Sequence, residues 1–301
     1  MNIEHQIMQI RQQFENELLA SKIKEDFSNK SPNYNSQKSN QHQQQRFHPI
    51  DVKRVRKEDW QIRRYLVDRD INGDVDQAYC RLIETLEWKQ QFGVHRLTES
   101  YWPTEFYQLY KLEKYGTDRD GRLVFTECFT RQRHYTELEQ CFQQLIAVSL
   151  ETMDRMSGEL GMCYLADFTN IPIHSLDIGL ARFRVQTIVR HYPGLARRII
   201  LHNVPLLLKP ILRMAILMGS MATQAIREAV VYSTSSSFSI GSLEQYIDAE
   251  VLHQDIGGKR TKRHYPNGTI SFRICYARFS VKPAFVDYFY RFNRLEEGEK
   301  Y

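Results

Sequence analysis

Three residues whose side chains could carry nucleophilic chemistry lie close together in the chain: His174, Ser175 and Asp177. A hydrolytic relay depends on placement in space, and neighbours at these spacings without a nucleophile elbow favour it only weakly. The chain also has no G-x-x-x-x-G-K-[ST], G-x-G-x-x-G, H-E-x-x-H or G-x-S-x-G motif. The sequence therefore predicts a binding protein without catalytic residues, metal ligands or a cofactor, rather than an enzyme.

The stretch from Ile178 to Arg227 is basic and contains no acidic residue, although the whole chain has 36 Asp and Glu. Its cations are Arg182, Arg184, Arg190, Arg197, Arg198, Lys209, Arg213 and Arg227. This asymmetry indicates an anionic partner, either a membrane surface or a nucleic acid. Because the cations alternate with long aliphatic residues rather than stacking aromatics, the pattern favours lipid, and we expect no nucleic-acid partner.

Within this stretch, residues 205–218 are apolar except for a narrow basic stripe at Lys209 and Arg213. Pro205 suits the first position of a helix, and Asn203 could cap it. One interpretation is a buried core helix whose two cations reach solvent. The other is a mobile helix that covers an apolar cavity and contacts an anionic membrane.

The N-terminal part of the chain is predicted to be helical. Residues 1–27 form an amphipathic helix with Ile3, Ile7, Ile10, Phe14 and Leu18 on one face. That face would either pack on its own domain or bind a membrane or a partner. Residues 28–49, rich in Ser, Asn and Gln, predict a flexible linker. Residues 51–115 predict a compact helical unit, in which Asp74 or Asp76 could cap a helix that Gly93 could end.

After residue 116 the pattern alternates between strands and helices. Strands are predicted at 121–127, 162–168, 199–204 and 229–233, and helices at 137–157 and 175–191. This order predicts an α/β fold whose sheet contains parallel pairs. The domain built on this sheet is expected to span 116–260. Residues 261–301 form a C-terminal extension, strand-like around 270–276 and then an aromatic helix.

Composition and cysteine usage are those of an intracellular globular protein. The chain has 301 residues, 42% of them apolar and 26% charged, and a net charge of +5. Its five dispersed cysteines predict free thiols in a reducing compartment. The polar, acid-containing start predicts no signal peptide, and the most apolar window is interrupted by charges. We expect a cytoplasmic protein that associates peripherally with membranes.

Several blocks of the chain, in their order and spacing, resemble the CRAL-TRIO lipid-binding family, the fold of phosphatidylinositol transfer proteins. The segments 65–69 and 74–88 are similar to its N-terminal helical module, and Asp118–Arg122 (DRDGR) to the turn that opens its lipid domain. Further similar blocks are 167–169, 192–193, 199–205 and the closing segment 252–258. The resemblance implies a helical N-terminal module followed by a sheet floor covered by helices, one of which is a gate.

The resemblance also implies a mechanism, in which an apolar cavity binds a lipid and the gate helix opens against a membrane. The gate residues would be Leu207, Leu208, Ile211, Leu212, Met214, Ala215 and Met218. The pocket floor would carry Phe125, Tyr164, Ile200 and Tyr232. Headgroup or membrane contacts would come from Arg69, His202, Lys209, Arg213 and Arg227. A collapsed cavity would instead favour an interaction or recruitment module without transfer activity.

The chain departs from the family at positions that hold an inositol headgroup. Gly194 stands where Glu follows the Tyr-Pro pair, and Ala225 stands near the position of a Lys. Val67 replaces the first Arg of an N-terminal basic pair. These departures disfavour phosphatidylinositol and leave another phospholipid or an uncharged hydrophobe as ligand. Within the family, the segments 10–14 and 175–178 are similar to the motile sperm domain-containing subgroup.

Overall fold

The computed structural model describes residues 2–29, 46–68, 70–130, 133–172, 177–210, 212–213, 229–234, 242–264 and 270–293, and the side chains of 2–21 within the first of these ranges. These residues fall into two compact units, Met1–His95 and Arg96–Tyr301. The sequence pattern instead places the boundary after residue 115. Among the described residues, no helix combines the length and the apolar character that a membrane span requires.

The first unit consists of helices packed around one apolar core. Its helices are α1 (Ile3–Asn29), α2 (Pro49–Lys57), α3 (Asp59–Leu66) and α4 (Val75–Phe92). The predicted apolar face of α1 is buried in this core, where Ile7, Ile10 and Phe14 are at most 1% exposed. This face of α1 therefore packs on its own unit and is not free to bind a membrane or a partner.

The ends of α4 are set by the two residues that the sequence predicts. The Asp74 carboxylate accepts a hydrogen bond from the Gln77 backbone N–H at 2.9 Å, which satisfies one of the unpaired amides of the first turn. Gly93 ends the helix with φ 76°, a conformation that glycine adopts without a steric cost. Both predicted caps are confirmed.

The second unit is an α/β domain built on one five-stranded sheet. Its elements are α5 (Thr104–Tyr110), β1 (Glu113–Thr117), β2 (Leu123–Cys128), α6 (Glu139–Ser157), β3 (Met162–Asp167), α7 (Ile178–His191), β4 (Ala196–His202), β5 (Val230–Ser233), α8 (Phe272–Cys275) and α9 (Pro283–Asn293). The strands lie in sequence order. β1 pairs with β2 antiparallel, and β2 to β5 are parallel, so the predicted α/β class is confirmed.

The two faces of the sheet carry different side chains because successive residues of a strand point to opposite sides. One face packs Val124, Cys163, Leu165 and Ile200 against a C-terminal segment that contributes Leu243, Ile247, Leu252 and Ile256. The other face carries Tyr164 and Ala166 of β3 and Ile199 and Leu201 of β4, and α7 lies over it. We call this second side the α7 face.

Two parts of the second unit differ from the sequence predictions. The strand-like prediction around 270–276 is wrong, because Phe272–Cys275 is helical and Tyr276–Phe279 forms a 3₁₀ turn. Tertiary packing decides this segment, since Phe272 is fully buried with its ring 5.0 Å from that of Phe106. The aromatic helix predicted after it is confirmed as α9. The edge strand β1 was not predicted, because its sequence EKYGT is mostly polar.

Candidate functional site

A cavity lies between α7 and the sheet in the second unit. Its enclosed volume is about 80 Å³, or about 720 Å³ when the adjoining space open to solvent is included. It is lined by Phe129, Tyr164, Ala166, Phe168, Ala181, Arg184, Val185, Ile188, Val189, Ile199, Leu201, Leu212 and Val230. Among the described residues that line it, all except Arg184 and Tyr164 are wholly apolar, so the cavity suits a hydrophobic ligand.

The residues that form the floor and the cover of the cavity recur at the spacing of a strand and of a helix, respectively. Ile199 and Leu201 of β4 are two residues apart and therefore share the α7 face, and Val230 of β5 pairs with Ile199. On α7 the lining residues recur at Ala181, 184–185 and 188–189, which is one side of a helix. Because the side chain of Ala166 is small, it leaves space above the middle of the cavity floor.

The polar groups at the cavity form one closed cluster. Arg184 Nη2 donates to Glu127 Oε1 at 2.5 Å, and the Tyr164 hydroxyl donates to Glu127 Oε2 at 2.6 Å. Glu127 is fully buried and Arg184 is 5% exposed, with its guanidinium over the ring of Phe129. We call Glu127, Tyr164 and Arg184 the buried polar trio.

The electrostatics of the buried polar trio keep it neutral overall. Burial is the largest effect and lowers the pKa of Arg184, but Glu127, Tyr164, Tyr110 and Asp177 together outweigh it, so the pKa of Arg184 is raised. Burial also raises the pKa of Tyr164 well above its ordinary value; the Arg184 charge opposes this shift and Glu127 adds to it. The trio therefore consists of one cation, one anion and a neutral phenol.

The segment at the carboxyl end of β4 divides into an exposed and a buried side. Leu206 and Leu207 are 79% and 72% exposed. Leu208 and Leu212 are buried, and Leu212 reaches the cavity. The predicted basic stripe lies beside Tyr232, whose ring centroid is 5.6 Å from Lys209 Nζ and 6.0 Å from the Arg213 guanidinium carbon. We call the described residues 205–210 and 212–213 the gate segment, after the role that the sequence predicts for them.

Four predicted floor residues occupy different places. Tyr164 lines the cavity. Phe125 lies on the same face, 5.7 Å from the Tyr164 ring between centroids, and Tyr232 pairs with Leu201 beside the gate segment. Ile200 points to the opposite face, into the core of Val124 and Leu165, because it alternates with Ile199 and Leu201. The floor position in β4 is therefore held by Ile199 and Leu201 rather than Ile200.

The other predicted contacts are partly outside the described residues. Among the gate residues, Leu207, Leu208 and Leu212 are described, whereas Ile211, Met214, Ala215 and Met218 are not. Of the predicted headgroup or membrane residues, Arg69 and Arg227 also lie outside, as do Ala225, His174 and Ser175. Asp177 caps α7 by accepting a hydrogen bond from the Leu180 backbone N–H at 2.9 Å.

His202 is described and faces away from the cavity. Its side chain is 1% exposed, and its Nδ1 lies 2.8 Å from Ser233 Oγ. The Asn203 amide donates to His202 Nε2 at 3.0 Å and to Thr169 Oγ1 at 2.8 Å. This hydrogen-bonded network joins the carboxyl ends of β4 and β5, and it leaves His202 away from the α7 face.

Sequence reasoning missed Glu127 and Arg184 as cavity residues. Arg184 was visible only as one cation of the acid-free stretch, and Glu127 only as the end of a predicted strand. The signal that could have found Arg184 is its place among apolar residues on the inner side of α7. Its pairing with Glu127 depends on the register of β2 beside β3, which no local pattern specifies.

Together these elements define a class of protein: an α/β domain that encloses an apolar cavity beneath helices, with a helical unit before it. Residues 108–258 match the CRAL/TRIO domain family, and this match covers half of the chain. The chain therefore belongs to the CRAL/TRIO domain family, a family of lipid-binding and lipid-transfer proteins. Similarity to the motile sperm domain-containing subgroup stays a prediction.

A solved structure supports the same architecture. The crystal structure of Sfh5 superposes with a TM-score of 0.55, and the alignment covers 94% of this chain and 98% of that one. The two sequences are 15% identical, so the likeness concerns the fold. It extends beyond the segment that matches the family and includes the N-terminal helices.

Proposed function

We propose that this protein binds a lipid-like ligand in the cavity under α7 and exchanges or presents it at membranes. The observation that carries the proposal is the cavity itself, which is lined almost wholly by apolar side chains. Its enclosed volume of about 80 Å³ is small, so a ligand with a long chain would also occupy the adjoining space that is open to solvent. Neither a catalytic group nor a cofactor is required for this function, and the ligand is the only small molecule proposed.

For such a ligand, burial of its apolar chain adds little to the affinity, so the function depends on the rate of exchange. Burying an apolar chain stabilises it by about 0.8 kcal/mol per methylene relative to water. A ligand taken from a bilayer gains nothing from this term, because its chain was already out of water. Exchange then depends on a lower barrier to leaving the membrane, which a movable cover over the cavity provides.

The gate segment is proposed to be that cover and to contact anionic membrane surfaces. Leu206 and Leu207 are exposed beside Lys209 and Arg213, so apolar and basic groups lie together next to the cavity. Near an anionic leaflet, each basic residue contributes about 1 kcal/mol of attraction. The protein would then be cytoplasmic and bind membranes peripherally.

The alternative function is an interaction or membrane-recruitment module that transfers nothing. It would require a collapsed cavity, whereas the cavity under α7 is small but open and lined by apolar side chains. The burial of the apolar face of α1 also removes one surface that this alternative would use. The same experiment distinguishes the two functions.

The test is to fill the cavity from α7 and measure lipid uptake. Val185 lines the cavity, so Val185→Trp would occupy space that the ligand needs. We expect uptake of a fluorescent lipid from neutral liposomes to fall by about tenfold or more. Native mass spectrometry of the purified wild-type protein should show a bound lipid that the variant lacks.

The matched control is Ile178→Trp, which places the same side chain on α7 where Ile178 is 54% exposed. This variant should take up lipid as the wild type does. Thermal unfolding of both variants checks that they are folded. A wild-type protein that is folded, carries no lipid and takes up none from liposomes would overturn the proposed function.

A further inference from the structure

The buried polar trio is closed to a ligand because its charges satisfy one another. Both carboxylate oxygens of Glu127 are occupied, one by Arg184 and the other by Tyr164. The Arg184 guanidinium also lies 5.6 Å from the centroid of the Phe129 ring, which covers one of its sides. Among the described residues that line the cavity, Arg184 has the one charged side chain, and Glu127 of the sheet already neutralises it.

Among the described residues, the other titratable groups that act on Arg184 are Asp177 and Tyr110, and both favour its charged form. Asp177 and Tyr110 act on it electrostatically over a distance, and Asp177 itself pairs with His134. A charged ligand group placed against the trio would lose its hydration without gaining a counter-ion. An uncharged group would meet the apolar side chains that make up most of the described lining.

On the basis of the proposed function, we propose that the cavity selects uncharged hydrophobes and that Glu127 is the specificity-determining residue. Glu127 acts by occupying Arg184, which would otherwise attract a carboxylate into the cavity. The ligand class is then a long-chain alcohol, an ester or a sterol, whose inserted part carries no charge. Free fatty acids with the carboxylate inside are excluded.

The experiment compares two probes of equal chain length, octadecanol and octadecanoate, at neutral pH. Each displaces a fluorescent polyene probe from the full-length protein, and the ratio of the two affinities is the readout. In the wild type we expect octadecanol to bind at least about tenfold more tightly than octadecanoate. Glu127→Gln keeps the shape of the side chain but frees the Arg184 charge, so it should shift the ratio towards octadecanoate by about tenfold or more.

Two further variants separate charge from structure. Tyr164→Phe removes a hydrogen bond to Glu127 without changing any charge at neutral pH, so it should shift the ratio less than Glu127→Gln does. The double variant Glu127→Gln with Arg184→Met removes both charges and should restore the preference for octadecanol. Thermal unfolding identifies any variant that is not folded, and the two wild-type affinities need no variant at all.

The possible outcomes distinguish this inference from the proposed function. If a folded wild type binds neither probe nor the polyene, the proposed function fails. If the wild type binds octadecanoate as tightly as octadecanol, or if Glu127→Gln is folded and leaves the ratio unchanged, lipid binding stands and the selection by Glu127 is overturned.

Discussion

A single buried histidine should make the stability of this protein depend on pH. Burial lowers the pKa of His202 below its ordinary value of 6.5, although the Asp167 charge opposes the shift. The unfolded chain therefore binds a proton at a pH where the folded chain does not. In that window the free energy of unfolding falls as the pH falls, because protonation favours the unfolded state.

The hydrogen bonds around His202 also predict that protonation of its ring destabilises the folded state. Since the Asn203 amide donates to Nε2, the ring is neutral and its Nδ1–H donates to Ser233. A second proton on Nε2 would face a donor and break this arrangement. We expect that urea unfolding measured from neutral pH down to about pH 5 shows a smaller pH dependence in His202→Gln than in the wild type.

The control for this prediction is Ile200→Val, on the same strand. It should cost about 1 kcal/mol of stability at every pH, because it removes a buried methylene without touching a titrating group. A His202→Gln variant with the same pH dependence as the wild type would show that His202 does not contribute to it.

The floor residue in β4 shows the limit of sequence reasoning at this scale. A parallel strand that is covered on both faces has no polar alternation to reveal which side a residue faces. Ile199, Ile200 and Leu201 are all apolar, so the sequence does not show that Ile200 faces away from the cavity. The register of the sheet decides it, and that register involves strands far apart in the chain.

At the scale of elements, the gate segment should bind membranes through residues that contribute nothing to the core. Leu206 and Leu207 are mostly exposed, so Leu206→Ser with Leu207→Ser should leave the melting temperature nearly unchanged. Inserting even part of two leucines into a membrane is worth about 2 kcal/mol. We therefore expect the double variant to bind anionic vesicles at least about tenfold more weakly in a sedimentation assay.

The matched control replaces two leucine-sized exposed residues elsewhere in the same unit. Met156 and Leu160 are 57% and 60% exposed, so Met156→Ser with Leu160→Ser removes a similar apolar area. This pair should leave vesicle binding unchanged. An equal loss in both double variants would contradict a specific role for the gate segment.

The elements themselves were largely predictable, because their periods are strong. Strands β2 to β5 and helices α6 and α7 form close to the predicted positions. The sequence pattern did not predict β1, which is a polar edge strand. It also predicted a strand at 270–276, where the structure has the helix α8. In both cases tertiary contacts determine the conformation. β1 pairs with β2, and the ring of Phe272 packs against that of Phe106.

At the scale of the whole molecule, the C-terminal extension proves to be part of the second unit's core. Its rings surround Phe106, whose centroid lies 5.0 Å from that of Phe272, 5.4 Å from that of Phe279 and 5.9 Å from that of Phe289. Phe106 is fully buried. The extension thus completes an aromatic core on α5, within the same unit that holds the cavity.

The last described residue of the extension, Asn293 at the end of α9, is held by hydrogen bonds. The Asn293 amide donates to the Tyr135 hydroxyl at 2.8 Å and to the Phe289 backbone carbonyl at 2.8 Å. Tyr135 is itself buried and in contact with the Phe289 ring. Asn293 therefore ties the end of α9 to the segment that precedes α6.

Ending the chain after residue 270 should consequently destabilise the whole second unit. It removes Phe272, Phe279 and Phe289 together and leaves Phe106 exposed, and the loss of one buried Phe alone costs about 3–5 kcal/mol. We expect this shortened chain to be insoluble or to unfold well below the wild type in calorimetry. A chain that ends after Asn293 keeps every aromatic contact described here and should unfold close to the wild-type temperature. If both shortened chains unfold at the wild-type temperature, the second unit does not need the extension, and its core ends at the sheet and the helices over it.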